Sequence, residues 1–192
     1  APEPSVVAAG RLVPEKGIDV LIRAFARLRT RSRAGRLVVI GDGPQRTALE
    51  RLAAGQGIAD RVEFRGWRSR ADTLATIRQA WCLCVPSVWE EPFGMVAAEA
   101  QMHGVAVVAS RRGGLAEIVE EDATGHLVPA GDVESLADRL GGLCSDRRLA
   151  MTYGAGGHDR ARSLFSLDAF ADRFERIYDE AVSVHAVERG HR

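Results

Sequence analysis

Glu91 and Glu99 stand eight residues apart, with Pro92-Phe93-Gly94-Met95 between them. A helix that starts near Phe93 puts Glu91 at its mouth and Glu99 about a turn and a half inside. Exposed N–H groups and the helix dipole attract an anion at such a mouth. A carboxylate within an apolar helix costs several kcal/mol unless something hydrogen-bonds it. The pattern suits a phosphate at the helix N-terminus and a polyol whose hydroxyls the two carboxylates grip. The segment Gly10-Arg11-Leu12-Val13-Pro14-Glu15-Lys16-Gly17 adds two cations, Arg11 and Lys16, beside a glycine that lets another backbone come close.

The elements that must position these groups alternate short β-rich runs with longer helical patterns, which predicts an α/β fold: a Rossmann-like parallel sheet with helices on both faces. Strands are expected at 5–9, 36–40, 62–64, 81–85, 105–109 and 125–128. Helices are expected at 18–29, 45–54, 71–80, from Phe93 to near Gly104, 115–120 and 135–144, the last with Asp132 as N-cap. C-terminal helices are expected over about 147–184, as 147–156, 158–165 and 167–184, with a frayed tail at 185–192. The helix after Phe93 is apolar on most sides, which predicts that it is buried. Ligands of such a sheet bind at the carboxyl ends of its strands, and Gly10-Arg11, Gly41-Asp42-Gly43, Arg65-Gly66, Glu90 to Gly94 and Gly113-Gly114 all fall at such ends. Gly41-Asp42-Gly43-Pro44 lacks the G-x-G-x-x-G that a dinucleotide fingerprint needs.

Residues 1–192 read as one domain, without repeats or a low-complexity linker. The 26 basic and 26 acidic residues cancel, so no net field argues for nucleic acid or an anionic membrane. No apolar run is long enough for a spanning helix, and Ala1-Pro2-Glu3-Pro4 lacks the regions of a signal peptide. Cys82, Cys84 and Cys144 form an odd set without metal-ligand spacing, with Cys82 and Cys84 expected to pack as small hydrophobes on one strand face. A reducing cytoplasm is the simplest setting. No histidine is read as a ligand, no metal site is expected, and nothing forms a nucleophilic triad.

The spacing Glu91-x7-Glu99 around Phe93-Gly94-Met95 resembles the signature of retaining nucleotide-sugar glycosyltransferases of the GT-B fold, family 4. Gly10-Arg11 to Lys16-Gly17 resembles that family's diphosphate-holding element, and Gly113-Gly114-Leu115-Ala116-Glu117 its Gly-Gly-x-x-Glu turn. The similarity runs from Gly10 to about Val184 and implies the donor-binding, C-terminal half of such an enzyme, with the acceptor-binding N-terminal half absent. It implies transfer of a sugar from a nucleotide diphosphate sugar to an acceptor hydroxyl, with a UDP sugar as the default donor and a GDP sugar next. Arg11 and Lys16 would stabilise the charge growing on the leaving diphosphate, in place of an obligate metal. Glu91 would orient the donor sugar and Glu99 the ribose. Gly10 would admit the ligand, and Phe93, Gly94 and Met95 would offer backbone N–H groups. Arg65, through its main chain, is the candidate for the base. Trp67 is expected to cover the sheet rather than the pocket, Glu90 to be a solvated neighbour, and Gly113-Gly114 to run close to the donor. The acceptor, a glycan, lipid or small molecule, would meet the absent half, and the complete protein could be peripheral to a membrane. A stand-alone nucleotide-binding module without catalysis is the alternative. A nicotinamide dehydrogenase and a sugar epimerase of similar shape fit less well.

Overall fold

The computed structural model describes residues 3–28 and 35–189. Six strands form one fully parallel sheet: β1 (Ser5–Ala9), β2 (Arg36–Ile40), β3 (Val62–Gly66), β4 (Cys82–Val85), β5 (Ala106–Ser110) and β6 (Gly125–Val128). Their spatial order is β3-β2-β1-β4-β5-β6, that of a doubly wound nucleotide-binding sheet. Both faces are covered, so the strands read as continuous β-branched runs rather than alternating ones.

Alternate residues of each strand feed two cores. Val6, Ala8, Leu37, Val39, Cys82, Cys84 and Val108 face one side, against α1 (Ile18–Arg27), α2 (Arg46–Gly55) and α6 (Val133–Ser145). Val7, Ile40, Leu83, Val85, Val107 and Ala109 face the other, with α3 (Arg70–Ile77), α4 (Met95–Met102) and α5 (Leu115–Ile118). Each fully buried aliphatic side chain here contributes about 2 kcal/mol. Cys82 and Cys84 lie on the same face as expected, and all three thiols are free and buried. Asp132 caps α6 as expected, Oδ1 accepting from the N–H groups of Glu134 and Ser135 at 3.0 Å each.

Several expectations need correction. α1 ends at Arg27, and the expected last residue, Arg29, lies outside the described residues. The two helices expected at 147–156 and 158–165 are one, α7 (Arg147–Phe165). Its glycines are close-approach points rather than breakers: a Cβ on Gly154 would stand 2.1 Å from the Gly104 carbonyl oxygen, and one on Gly156 2.6 Å from that of Ala123. The last helix, α8 (Leu167–Arg189), runs past the expected end at 184 into the tail expected to fray, with residues 190–192 outside the described set. No described helix is long and apolar enough to cross a membrane.

Candidate functional site

Strand order reverses between β1 and β4, and such sheets bind ligands in the crevice outside that point. The loop after β1, through Gly17, meets the loop after β4, from Pro86 to Gly94. Gly17 has φ 62°, and a Cβ there would lie 2.1 Å from the Pro86 carbonyl oxygen. The Val88 N–H donates to the Glu15 carbonyl at 2.9 Å. Only a residue without a side chain lets the loops lie this close, and their closeness carries Lys16 onto Glu91.

Lys16 Nζ donates to Glu91 Oε1, and Ser87 Oγ donates to the same oxygen at 2.6 Å. Glu91 is 7% exposed and Ser87 fully buried. Burial alone pushes the Glu91 carboxyl up. The bonds from Lys16, Ser87 and Trp89, with the charge of Lys16, outweigh it and hold the group below the usual carboxylate range. The site therefore keeps a fixed carboxylate at neutral pH, aligned by two donors. Ser87 has no role at the site in the sequence analysis; its position four residues before Glu91 was the available signal.

Lys16 and Glu91 line a cavity of about 380 Å³ with Gly10, Pro86, Phe93 and Gly94. The N-terminus of α4 opens into it: Gly94, at φ 95°, is the N-cap, and Met95 and Val96 follow on the cavity wall. The first N–H groups of a helix have no intrahelical acceptor, so this wall presents donors and the positive end of the dipole. A Cβ on Gly10 would meet no atom within 4 Å. The protein leaves that space open, and a ligand can take it.

The turn Gly113-Gly114 seats the loop that carries Glu91 and Phe93. A Cβ on Gly113 would lie 2.2 Å from the Glu91 carbonyl oxygen and one on Gly114 2.4 Å from that of Phe93. The Gly114 N–H donates to the Glu91 carbonyl at 2.8 Å. Glu90 is solvent-facing but not idle: it accepts from Arg112 Nη1 at 2.8 Å and the Gly113 N–H at 2.7 Å, and clasps the two loops together.

A second depression, of about 310 Å³, shares Ala9, Gly10 and Val96 with the first and adds Arg11, Asp42, Trp67, Arg68 and Thr73. The side chain of Arg11 has no ion-pair or hydrogen-bond partner among the described residues. Trp67, expected to cover the sheet, is 75% exposed and walls this depression instead. The Arg65 guanidinium is held by Glu63 at 2.9 and 3.1 Å and by Thr76 Oγ1 at 3.0 Å, and Arg65 is not among the lining residues. Arg68, which sequence reasoning passed over, is.

Glu99 faces a third groove, of about 650 Å³, with Arg70, Phe93, Met95, Met102, Phe165 and Phe170. α4 is therefore not buried all round: Met95 is 67% exposed and Glu99 partly so. Arg70 Nε donates to Glu99 Oε1 at 2.8 Å, which meets the requirement that this carboxylate be bonded.

Away from these grooves, Glu121, Asp122 and His126 come together, His126 Nδ1 lying 3.1 Å from each acid. Arg111 and Arg139 reach the same carboxylates at 3.2–3.7 Å and balance their charge.

The geometry has counterparts in known proteins. D-inositol 3-phosphate glycosyltransferase of Salinispora tropica is 41% identical over 197 residues, covering 96% of this chain and 40% of that relative. The chain thus spans less than half of that protein. HepE of Anabaena, crystallised in complex with UDP, superposes with a TM-score of 0.83 at 25% identity, over 93% of this chain and 49% of HepE. The C-terminal domain of a glycosyl transferase group 1 family protein (LpcC) from Francisella tularensis superposes with a TM-score of 0.78 at 25% identity, over 85% of this chain and 87% of that domain. A family model described as glycosyl transferases group 1 matches residues 2–160, which include every strand of the sheet, and the chain belongs to that family.

Proposed function

We propose that this chain is the donor-binding domain of a family 4 retaining glycosyltransferase, whose complete form moves a sugar from a nucleotide diphosphate sugar to an acceptor hydroxyl. The observation that carries this is the convergence of Gly10, Lys16, Glu91 and the N-terminus of α4 on one cavity at the sheet's switch point. The diphosphate lies against the first N–H groups of α4, reached by Lys16 and by the unpaired guanidinium of Arg11. These cations and the helix dipole supply the charge stabilisation that a divalent ion gives elsewhere. Glu91, already ionised and aligned, accepts from hydroxyls of the donor sugar. Glu99 accepts from the ribose, while Phe93, Gly94 and Met95 offer main-chain N–H groups. The base occupies the depression beside Trp67 and Arg68, where main-chain groups near Arg65 reach it across the Gly66 turn.

HepE's complex with UDP favours a UDP sugar, with a GDP sugar as the second class to test. The acceptor, a glycan, lipid or small molecule, meets an N-terminal half of the complete protein. The 40% share of the Salinispora relative and the match to an isolated C-terminal domain support that division. By itself, this chain binds donor without transferring it.

Titration calorimetry with UDP, GDP and their sugars tests the roles. Glu99→Ala weakens free nucleotide and nucleotide sugar alike, by roughly tenfold. Glu91→Ala spares free UDP and weakens only the sugar-bearing ligand. Equal losses for both variants on both ligands would remove the division of labour. Transfer activity from this chain alone would contradict the need for a second half, and an inactive N-terminally extended polypeptide would favour a binding module without catalysis.

A further inference from the structure

Arg70 occupies the first position of α3, where Ser69 Oγ accepts the Asp72 N–H at 3.1 Å and caps the helix. Its guanidinium reaches α4, Nε donating to Glu99 Oε1 at 2.8 Å. Among the described residues, Glu99 Oε2 and the terminal nitrogens of Arg70 carry no hydrogen bond. One turn further along α3, Thr73 lines the depression that holds Gly10 and Arg11, and it is joined there by Val96, one turn before Glu99 in α4. Thr73 and Val96 thus set one turn of each helix at that depression, and Arg70 and Glu99 stand one turn away on the same two helices, in the groove that Glu99 faces.

A lone glutamate on a groove wall samples several rotamers, and closing a two-bond contact with a diol requires one of them. Arg70 restricts that choice: with Oε1 engaged by Nε, Oε2 is the oxygen left to accept. We infer that Arg70 is a positioning residue for Glu99, holding its free oxygen toward a vicinal diol, and that it thereby sets a preference for ribonucleotides over their deoxy analogues. This rests on the assignment of Glu99 to the ribose made above. Exposed ion pairs add little to stability, and Arg70 is 77% exposed on its side chain, so its replacement leaves the fold intact.

The test is calorimetric titration of wild type, Arg70→Ala, Arg70→Lys and Glu99→Gln with UDP, GDP and their 2′,3′-dideoxy forms, beside a thermal melt of each. Wild type is expected to prefer the ribonucleotide by roughly tenfold or more, because a hydrogen bond to a charged group is being removed. Glu99→Gln erases the preference. Arg70→Ala cuts it by about threefold to tenfold, leaves affinity for the dideoxy form within about twofold and keeps the melting temperature. Arg70→Lys, which keeps the charge and loses the planar Nε donor, falls between the two. An unchanged preference in Arg70→Ala overturns the inference, as does tighter ribonucleotide binding, which would mean that Arg70 competes for Glu99. A loss shared equally by both ligands also overturns it, since Arg70 would then touch the common phosphates. A wild type indifferent to the diol, or binding neither nucleotide, overturns the ribose assignment itself.

Discussion

At Glu91 burial and charge pairing pull in opposite directions, and the pairing wins. The carboxyl gives up its proton more readily in the folded chain than in the unfolded one, whose value is about 4.3. The stability it adds is therefore complete above that pH and is lost as pH falls through the lower folded value. Lys16→Met shifts the balance toward burial, opposed then only by the bonds from Ser87 and Trp89, so the folded value rises from its wild-type position. The penalty, about 2 kcal/mol at neutral pH, lowers the melting temperature by roughly 4–8 °C in a chain of this size. It shrinks on acidification, so the melting curves of wild type and variant, followed from pH 7 to pH 4, draw together. A constant gap would mean that Lys16 matters only for packing. The two glutamates, the two cations and the glycine at position 10 were legible as residue types and spacings. Their partners were not: Lys16 and Glu91 lie 75 positions apart and Arg70 and Glu99 lie 29 apart, and no local pattern encodes either contact.

Among the elements, glycine meant different things in helices that read alike. Gly154 in α7 faces the Gly104 carbonyl at a distance no side chain tolerates, whereas an added Cβ on Gly142, exposed near the end of α6, meets nothing within 4 Å. Gly154→Ala is expected to destabilise by about 1–3 kcal/mol through forced backbone displacement. Gly142→Ala is expected to stabilise by about 0.5–1 kcal/mol through backbone entropy and helix propensity. Urea unfolding of the two variants measures both signs, and a destabilising Gly142→Ala would show that α6 needs its glycine for something other than space. Composition alone suggested a break near 157. Gly154 and Gly156 instead mark where other backbone passes close to a continuous helix, contacts invisible to propensity.

Across the whole molecule the sheet and its two cores lie within residues 3–165, and α8 lies outside those cores, giving Phe170 and Arg173 to the wall of the Glu99 groove. Leu167, Phe170, Phe174, Ile177, Tyr178 and Val182, spaced three or four apart for the most part, are each 52–86% exposed. A helix that buries so little adds little to the stability of the rest. Truncation after Ser166 is expected to move the melting temperature by less than about 3 °C and to leave UDP binding within roughly twofold. Differential scanning calorimetry with a nucleotide titration checks this. A collapse of the transition would place α8 in the cooperative core.

The sequence by itself determined the architecture: β-branched runs of four or five residues, helical stripes between them and glycines at strand ends admit few arrangements besides a parallel sheet covered on both faces. It also determined that Glu91, Glu99, Arg11 and Lys16 fall at or near the carboxyl ends of strands. Tertiary structure alone decided which groups met, that Trp67 faces outward, that Gly113 and Gly114 seat a loop, and that α4 keeps one side open to a groove. Periodicity reports the average burial of a face. Strand order, and the close passage of one backbone over another, select the partner of each charged side chain and the surfaces left free for a ligand.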